Sequence, residues 1–348
     1  MIVDRVARVV TFGEMLLRLS PPGQDRLFQK STLHTGFGGA EANVAVALRH
    51  LGLDASYVTR LPANLIGDAA LAALRAEGVE TDAILRGPER MGIYFVEPGR
   101  DLSTMRVVYD RSGSAFSRIT ASASDWPALL SGAAWFHGTG ITAALGPGPI
   151  ESLAAALAAA QSMAIPASLD LNFRPALWEG RDPRPLVQPL LERLDVLIAN
   201  VPALSAMSAV PATDADLETP ESAIALCRRL VDRYACRRVA LTRRRIEGPR
   251  RHRWSASLYE ADSGVLSQSR TWTVTVIDRV GGGDAFAAAL IAALLRAAPS
   301  AEAVEFAVAA GALKLRAPGD FHRATVSQIE TVIHGAGAAR HVELGGVG

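Results

Sequence analysis

The densest chemistry in the chain lies in one stretch, Val274 to Leu295, which reads VTVIDRVGGGDAFAAALIAALL. A β-type run leads to Gly281, Gly282 and Gly283, then Asp284, then an unbroken small and apolar helix. Consecutive glycines leave backbone N–H groups uncovered, and the helix start adds the positive end of its dipole, so the segment suits a phosphate-like anion. The plainer reading is a turn with Asp284 as an N-cap, a common role for aspartate, although one glycine would suffice for it. The spacing is not the G-x-G-x-x-G of a dinucleotide fold, and no Gly-Lys-Ser/Thr follows as in a Walker-type phosphate loop. An anion hole beside a carboxylate suits phosphoryl transfer to an alcohol. The amides stabilise charge on the moving group, and the aspartate accepts the attacking hydroxyl's proton.

Other residue types fit a partner for that reaction. Gly38, Gly39 and Asn43, in FGGAEAN, read either as a strand-to-helix turn with Asn near the cap or as a ligand corner. Arg174 follows a strand expected over Ala167–Asn172, at the carboxyl edge where open α/β sheets bind ligands. Arginine presents a planar fork that pairs with a carboxylate or a phosphate through two parallel bonds, although a surface arginine is more often simply solvated. Asp320 in PGDF reads as a turn aspartate. Tyr94 and Tyr109 read as half-exposed strand aromatics. The segment Thr242–Arg253 carries six arginines, at 243, 244, 245, 250, 251 and 253. It reads as a solvated loop or as an attractor of nucleotide phosphates, and without interleaved aromatics it does not suggest nucleic acid.

These residues need elements to hold them. Alanine is abundant where the apolar period is helical, while Val, Ile and aromatics gather in short runs, which is the alternation of an α/β fold. Strands are expected over Val9–Met15, Ser56–Arg60, Trp135–His137, Ala167–Asn172, Asp195–Ala199 and Arg238–Thr242. Helices are expected over Ala40–Leu51, Asp68–Glu77 and Ile150–Ser162, the first two stopped by Gly52 and Gly78. Each return implies a parallel crossover. Residues of about 16–36 and 91–111 break the rhythm with alternating segments and PPG or PG turns, which predicts a small antiparallel β-appendage, either plain decoration or a lid. Residues 1–340 read as a single domain and 341–348 as a fraying tail.

Composition narrows the class. The chain has 348 residues, 49% of them hydrophobic and 20% charged, enough for a large core and too apolar for disorder. Lys+Arg 36 against Asp+Glu 35 leave a formal charge of +1, so no overall field draws the protein to nucleic acid or an anionic membrane. The run Ala285–Leu295 ends at Arg296, short of the roughly 20 residues of a membrane span. Met1–Arg8 lacks the pattern of a signal peptide, so a cytoplasmic location is expected. Two cysteines, Cys227 and Cys236, suggest neither a disulfide framework nor a metal site.

VGGGDAF and FGGAEAN resemble the two signatures of the ribokinase-like carbohydrate kinases. TFGEMLLRLSPPG, VTRLPAN, VVYDRSGSAF, WFHGTGIT, DLNFRPALW, WSASLY and APGDF resemble the branch of that family that acts on 2-keto-3-deoxygluconate. The resemblance runs from about Val9 to Ile333. It implies a Rossmann-type three-layer α/β/α domain with a small β-sheet lid, and ATP-dependent phosphorylation of the terminal hydroxyl of 2-keto-3-deoxygluconate. Asp284 would be the base and Gly281, Gly282 and Gly283 the anion hole. Gly38, Gly39, Asn43, Tyr94, Tyr109, Arg111, Arg174 and Asp320 would meet the sugar acid. Asn172, Arg174, Asn200, Thr242, Gly281 and Gly283 would meet the nucleotide, with Ala309–Lys314 as an adenine wall. Two arginines at family positions favour an acid over a neutral sugar. Mg2+ is implied, and K+ near Asp278 is a further expectation, as is a homo-oligomer. Another sugar kinase and a non-catalytic binding protein are the alternatives. One departure stands out: many relatives carry Asn-x-x-Glu where this chain has Asn200, Val201, Pro202 and Ala203, so the magnesium shell must be completed by water, phosphate or another acid.

Overall fold

The computed structural model describes residues 6–23, 25–97, 105–337 and 339–344. Parts of the N-terminal stretch (1–5), of the expected appendage (24 and 98–104) and of the tail (345–348) lie outside the described residues.

Strands form where the β-branched and aromatic runs lie. They are β1 (Arg8–Phe12), β2 (Leu16–Ser20), β3 (His34–Gly38), β4 (Asp54–Pro62), β5 (Ile84–Gly87), β6 (Gly92–Glu97), β7 (Arg106–Asp110) and β8 (Trp135–Thr139). Then follow β9 (Ala167–Asp170), β10 (Val196–Ala199), β11 (Arg238–Ile246), β12 (Arg251–Glu260), β13 (Leu266–Gln268), β14 (Thr271–Thr275) and β15 (His341–Leu344). The large sheet runs β15-β14-β12-β11-β10-β9-β8-β1-β4-β5, with β13 on β12. From β11 to β5 every pairing is parallel, while β11–β12 and β12–β14 are antiparallel.

Successive strand residues point to opposite faces, and the core divides accordingly. Val9, Tyr57 and Ile198 pack under helices Ala40–His50, Gly282–Leu295 and Ser300–Leu315. Val10, Val58 and Leu197 pack under helices Pro147–Ser162, Arg184–Leu191 and Pro220–Tyr234. The result is the three-layer sandwich that the alternating elements require. Helix Gly282–Leu295 is apolar all round because it lies between two other helices and the sheet.

The two irregular stretches supply a separate four-stranded sheet, β3-β2-β6-β7. Pairing of β2 with β6 is parallel and ties the two insertions together. Three expectations need correction. The basic segment Thr242–Arg253 is no loop: β11 and β12 pair antiparallel through it, with Ile246 opposite His252. His341–Leu344 does not fray but pairs parallel with β14 along Thr271–Val274. The strand expected to reach Asn172 ends at Asp170, and Asn172 takes a left-handed φ of 38°. Cys227 and Cys236 are free and buried, and burial pushes both thiols up to about 12. Among the described residues no helix is long and apolar enough to cross a membrane.

Candidate active site

Strand order reverses around β1, and the parallel strands point their carboxyl ends at a crevice, the usual ligand position in such sheets. A cavity of about 410 Å³ opens there, floored by the sheet edge and covered on one side by the small sheet. Gly38, Gly39, Asn43, Tyr94, Tyr109, Arg111, Asn172, Arg174, Asn200, Thr242, Gly281, Gly282, Gly283, Asp284 and Asp320 all line it. The structure therefore brings together every sequence-derived site residue except Asp278, which sits just behind the cavity. Ala309–Lys314 does not reach it either, being packed in the interface with helix Gly282–Leu295.

The glycine run divides its labour. Gly281 is the N-cap, with φ 82°, and a Cβ there would lie 2.4 Å from the carbonyl oxygen of Asp320. Asp284 is the third helical residue and caps nothing, which sets the plain reading aside. The first helical hydrogen bond runs from Ala285 N–H to Gly281 C=O at 2.9 Å. The N–H groups of Gly282, Gly283 and Asp284 are thus the unmatched donors of the helix start. Asp284 is buried and accepts from Asn43 Nδ2 at 2.7 Å. Burial pushes its carboxyl up to about 6, against the opposing pull of Asn43 and Arg174.

Close approach also explains the glycines of the opposite corner. A Cβ on Gly39 would strike the carbonyl oxygen of Glu14 at 2.1 Å, so helix Ala40–His50 can enter there only behind glycine. That helix then carries Asn43 to Asp284.

The small sheet reaches the cavity through charged pairs. Arg18 of β2 donates to Asp320 Oδ1 and Asp278 Oδ2, each at 2.7 Å, and Tyr94 of β6 donates its hydroxyl to Asp320. Asp320 is thus no exposed turn aspartate but a buried anchor. Tyr109 stacks on Tyr94 with ring centroids 6.2 Å apart. Arg111 lies over Tyr109 and donates from Nε to Glu14 Oε2 at 2.7 Å, its Nη2 binding the same oxygen. Its fork is already partly engaged by a buried acid.

Sequence reasoning missed four acids that line the cavity, Glu14, Glu41, Asp170 and Asp214. Glu41 accepts from Thr139 Oγ1 at 2.6 Å and Thr142 Oγ1 at 3.2 Å, and burial pushes it up to about 7. Asp170, at the end of β9, is pushed up to about 7 by desolvation and by the neighbouring Asp284. The available signal was position: Glu41 lies within FGGAEAN, and Asp170 opens DLNFRP.

Beyond Asp170 the cavity turns positive. Arg174, Arg244 and Arg279 line it together. Among the described residues neither Arg174 nor Arg244 forms an ion pair. Desolvation by the cleft walls and the charges of Arg279 and Arg174 lower Arg244 to about 10, although its outer side meets solvent. Asn200 caps the next helix through Ala203 N–H at 2.9 Å, and Thr242 Oγ1 reaches the carbonyl of Ala199 at 3.4 Å. No group of three or more His, Cys, Asp or Glu able to hold a metal occurs among the described residues.

Unmatched helix-start donors, a buried carboxylate beside them and a cluster of arginines are the apparatus of a phosphotransferase that acts on a small molecule. The chain belongs to the pfkB family of carbohydrate kinases, whose profile matches residues 6–324, and it is a kinase of that family. A curated relative, the 2-dehydro-3-deoxygalactonokinase of Haloferax volcanii, is 31% identical over 334 residues, covering 95% of this chain and 98% of the relative. The crystal structure of 2-dehydro-3-deoxygluconokinase from Thermotoga maritima is 39% identical with a TM-score of 0.89, covering 94% of this chain and 98% of that one. An E. coli protein assigned as a ribokinase II, solved with ATP and Mg2+, shares the fold at 21% identity with a TM-score of 0.79, covering 94% and 99%.

Proposed function

We propose that this kinase transfers the γ-phosphoryl group of ATP to the terminal hydroxyl of 2-keto-3-deoxygluconate, also called 2-dehydro-3-deoxygluconate. The observation that carries the reading is the convergence of Asp284, Asn43 and the helix-start N–H groups on one cavity. The substrate hydroxyl gives its proton to Asp284 as its oxygen forms the new P–O bond, and ADP leaves with the electron pair of the broken one. The N–H groups of Gly282, Gly283 and Asp284 stabilise the charge on the transferring group. Asn43 aims the carboxylate.

Arg174, Arg244 and Arg279 suit the polyphosphate, and Asn172, Asn200 and Thr242 lie at the same end of the cavity. Magnesium, when bound, neutralises phosphate charge, and this donor set fits an ion held mainly by phosphate oxygens and water. Asp170, at the end of β9 in the cavity wall, is the acid that would orient that water. The small sheet acts as a lid: Tyr94, Tyr109 and Arg111 reach the sugar from it and exclude water. Its outer side exposes Phe28 and Val108, a surface suited to a homo-oligomer. Two buried thiols and an ATP requirement fit a cytoplasmic setting.

The partial engagement of Arg111 by Glu14 favours a second reading, a neutral sugar as acceptor. ADP release measured across 2-keto-3-deoxygluconate, its galactonate epimer, fructose and ribose decides between them. The acids are expected to be preferred, and Arg111→Ala should lower kcat/KM for the acids about 10- to 100-fold while sparing the neutral sugars. Equal rates on acids and neutral sugars would overturn the acid assignment.

A further inference from the structure

Lys314, in the last turn of helix Ser300–Leu315, is fully buried. A lysine is almost never fully buried unless paired with an opposite charge. This one makes no direct ion pair among the described residues: its Nζ donates to the backbone carbonyls of Ala317 at 3.1 Å and Gly319 at 2.7 Å. Asp278 and Asp320 favour its charge through space, against the cost of burial.

The loop that this ammonium gathers is fused to the anion loop. A Cβ on Gly281 would lie 3.0 Å from Lys314 Cε. Asp278 accepts from Val280 N–H at 3.0 Å and from Gly319 N–H at 3.1 Å, so one carboxylate joins both loops. Ile277 N–H and Asp278 N–H both reach the carbonyl of Leu315, at 2.8 and 3.2 Å. Residues 277–281 and 314–320 therefore form one unit, with Arg18 on its two carboxylates and Lys314 as the cation that meets its backbone carbonyls. Backbone carbonyls converging on a cation near carboxylates are the ligand chemistry of a hard monovalent ion.

We propose that the Lys314 ammonium is a tethered stand-in for a monovalent cation. It holds the Gly281–Gly283 loop in its anion-binding shape, so phosphoryl transfer needs no free potassium. Lys314 is a positioning residue, since it touches the loop and not the substrate. Removing its side chain leaves a carbonyl-lined hollow that potassium or ammonium can fill. The cation expected near Asp278 is then part of the chain itself.

The inference rests on the kinase reading, and the test separates the two. Wild type and Lys314→Ala are compared in potassium, ammonium and tetramethylammonium chloride at equal ionic strength, by rate and by melting temperature. Wild type should be indifferent to the cation. The variant should lose about 10- to 100-fold in kcat in tetramethylammonium, with little change in sugar KM, and regain it saturably with potassium or ammonium. Potassium should also raise the melting temperature of the variant more than that of wild type, a readout that requires no turnover. Lys314→Met, which fills the hollow, should not be rescued. Potassium activation of the wild type would overturn the proposal. So would a Lys314→Ala enzyme that keeps its rate, or one that loses it and shows no cation-specific recovery of rate or melting temperature. If Lys314→Ala does not fold, the wild-type comparison decides alone.

Discussion

In the proposed reaction Asp284 takes a proton while sitting buried within reach of one amide. Asp284→Asn keeps the shape and removes the base, so kcat should fall by about 100- to 10,000-fold while ATP binding persists, read by single-turnover kinetics beside calorimetry. With its carboxyl pushed up to about 6, the base is protonated below that pH and free above it. The rate should accordingly rise with pH through about 6 and then level off, and a flat profile from pH 5 to 8 would sink the assignment. The glycines and Asp284 were legible because their chemistry demands consecutive residues. Glu14, Glu41 and Asp170 were not, because each acts as a lone acid whose role depends on which strand end or helix turn it occupies. Arg18 was invisible for the same reason: nothing in MLLRLS announces partners at Asp278 and Asp320.

At the scale of elements, Arg18 fastens the small sheet to the body alongside Tyr94 and Arg111, bridging two carboxylates with only 12% of its side chain exposed. Both acids hold it charged against the cost of burial. Arg18→Ala leaves Asp278 and Asp320 facing each other with no bridging charge, which should cost about 3–5 kcal/mol of stability. It should also raise ATP hydrolysis in the absence of sugar, because the sheet no longer seals the cavity; coupled assays with and without acceptor check this. Parallel strands and their helices were readable from apolar period and glycine stops. The hairpin of β11 and β12 was not, because a run of arginines reads as solvated coil until the alternation along Arg243, Arg244 and Arg245 is set against its partner strand. The final strand was missed because four residues, His341–Leu344, carry too little pattern to stand alone.

For the whole molecule, the clustered acids set a pH dependence of stability. Asp284, Asp170 and Glu41 have ordinary values of 3.8, 3.8 and 4.5 and stand in the fold at about 6, 7 and 7. Raised carboxyl values penalise the folded state when ionised, so the penalty is absent below about pH 4, grows through pH 4–7 and is complete above. His137, His252 and His322, which burial lowers from 6.5 to about 3, 4 and 4, act in the opposite sense over the same window, so the acids are read by difference from the wild type: Asp170→Asn should recover several degrees at pH 8 and nothing at pH 4, measured by calorimetry. An unchanged melting temperature would mean that Asp170 is already compensated. The Arg18–Asp320 bond joins residues 302 apart, and Asn43 reaches Asp284 across 241 positions. Until residue 284 has been made Asn43 lacks the carboxylate, and until residue 320 has been made the pocket lacks the acid that Arg18 and Tyr94 bind. A nascent chain is therefore enzymatically silent, and closing contacts of such span makes the final docking a slow step of folding.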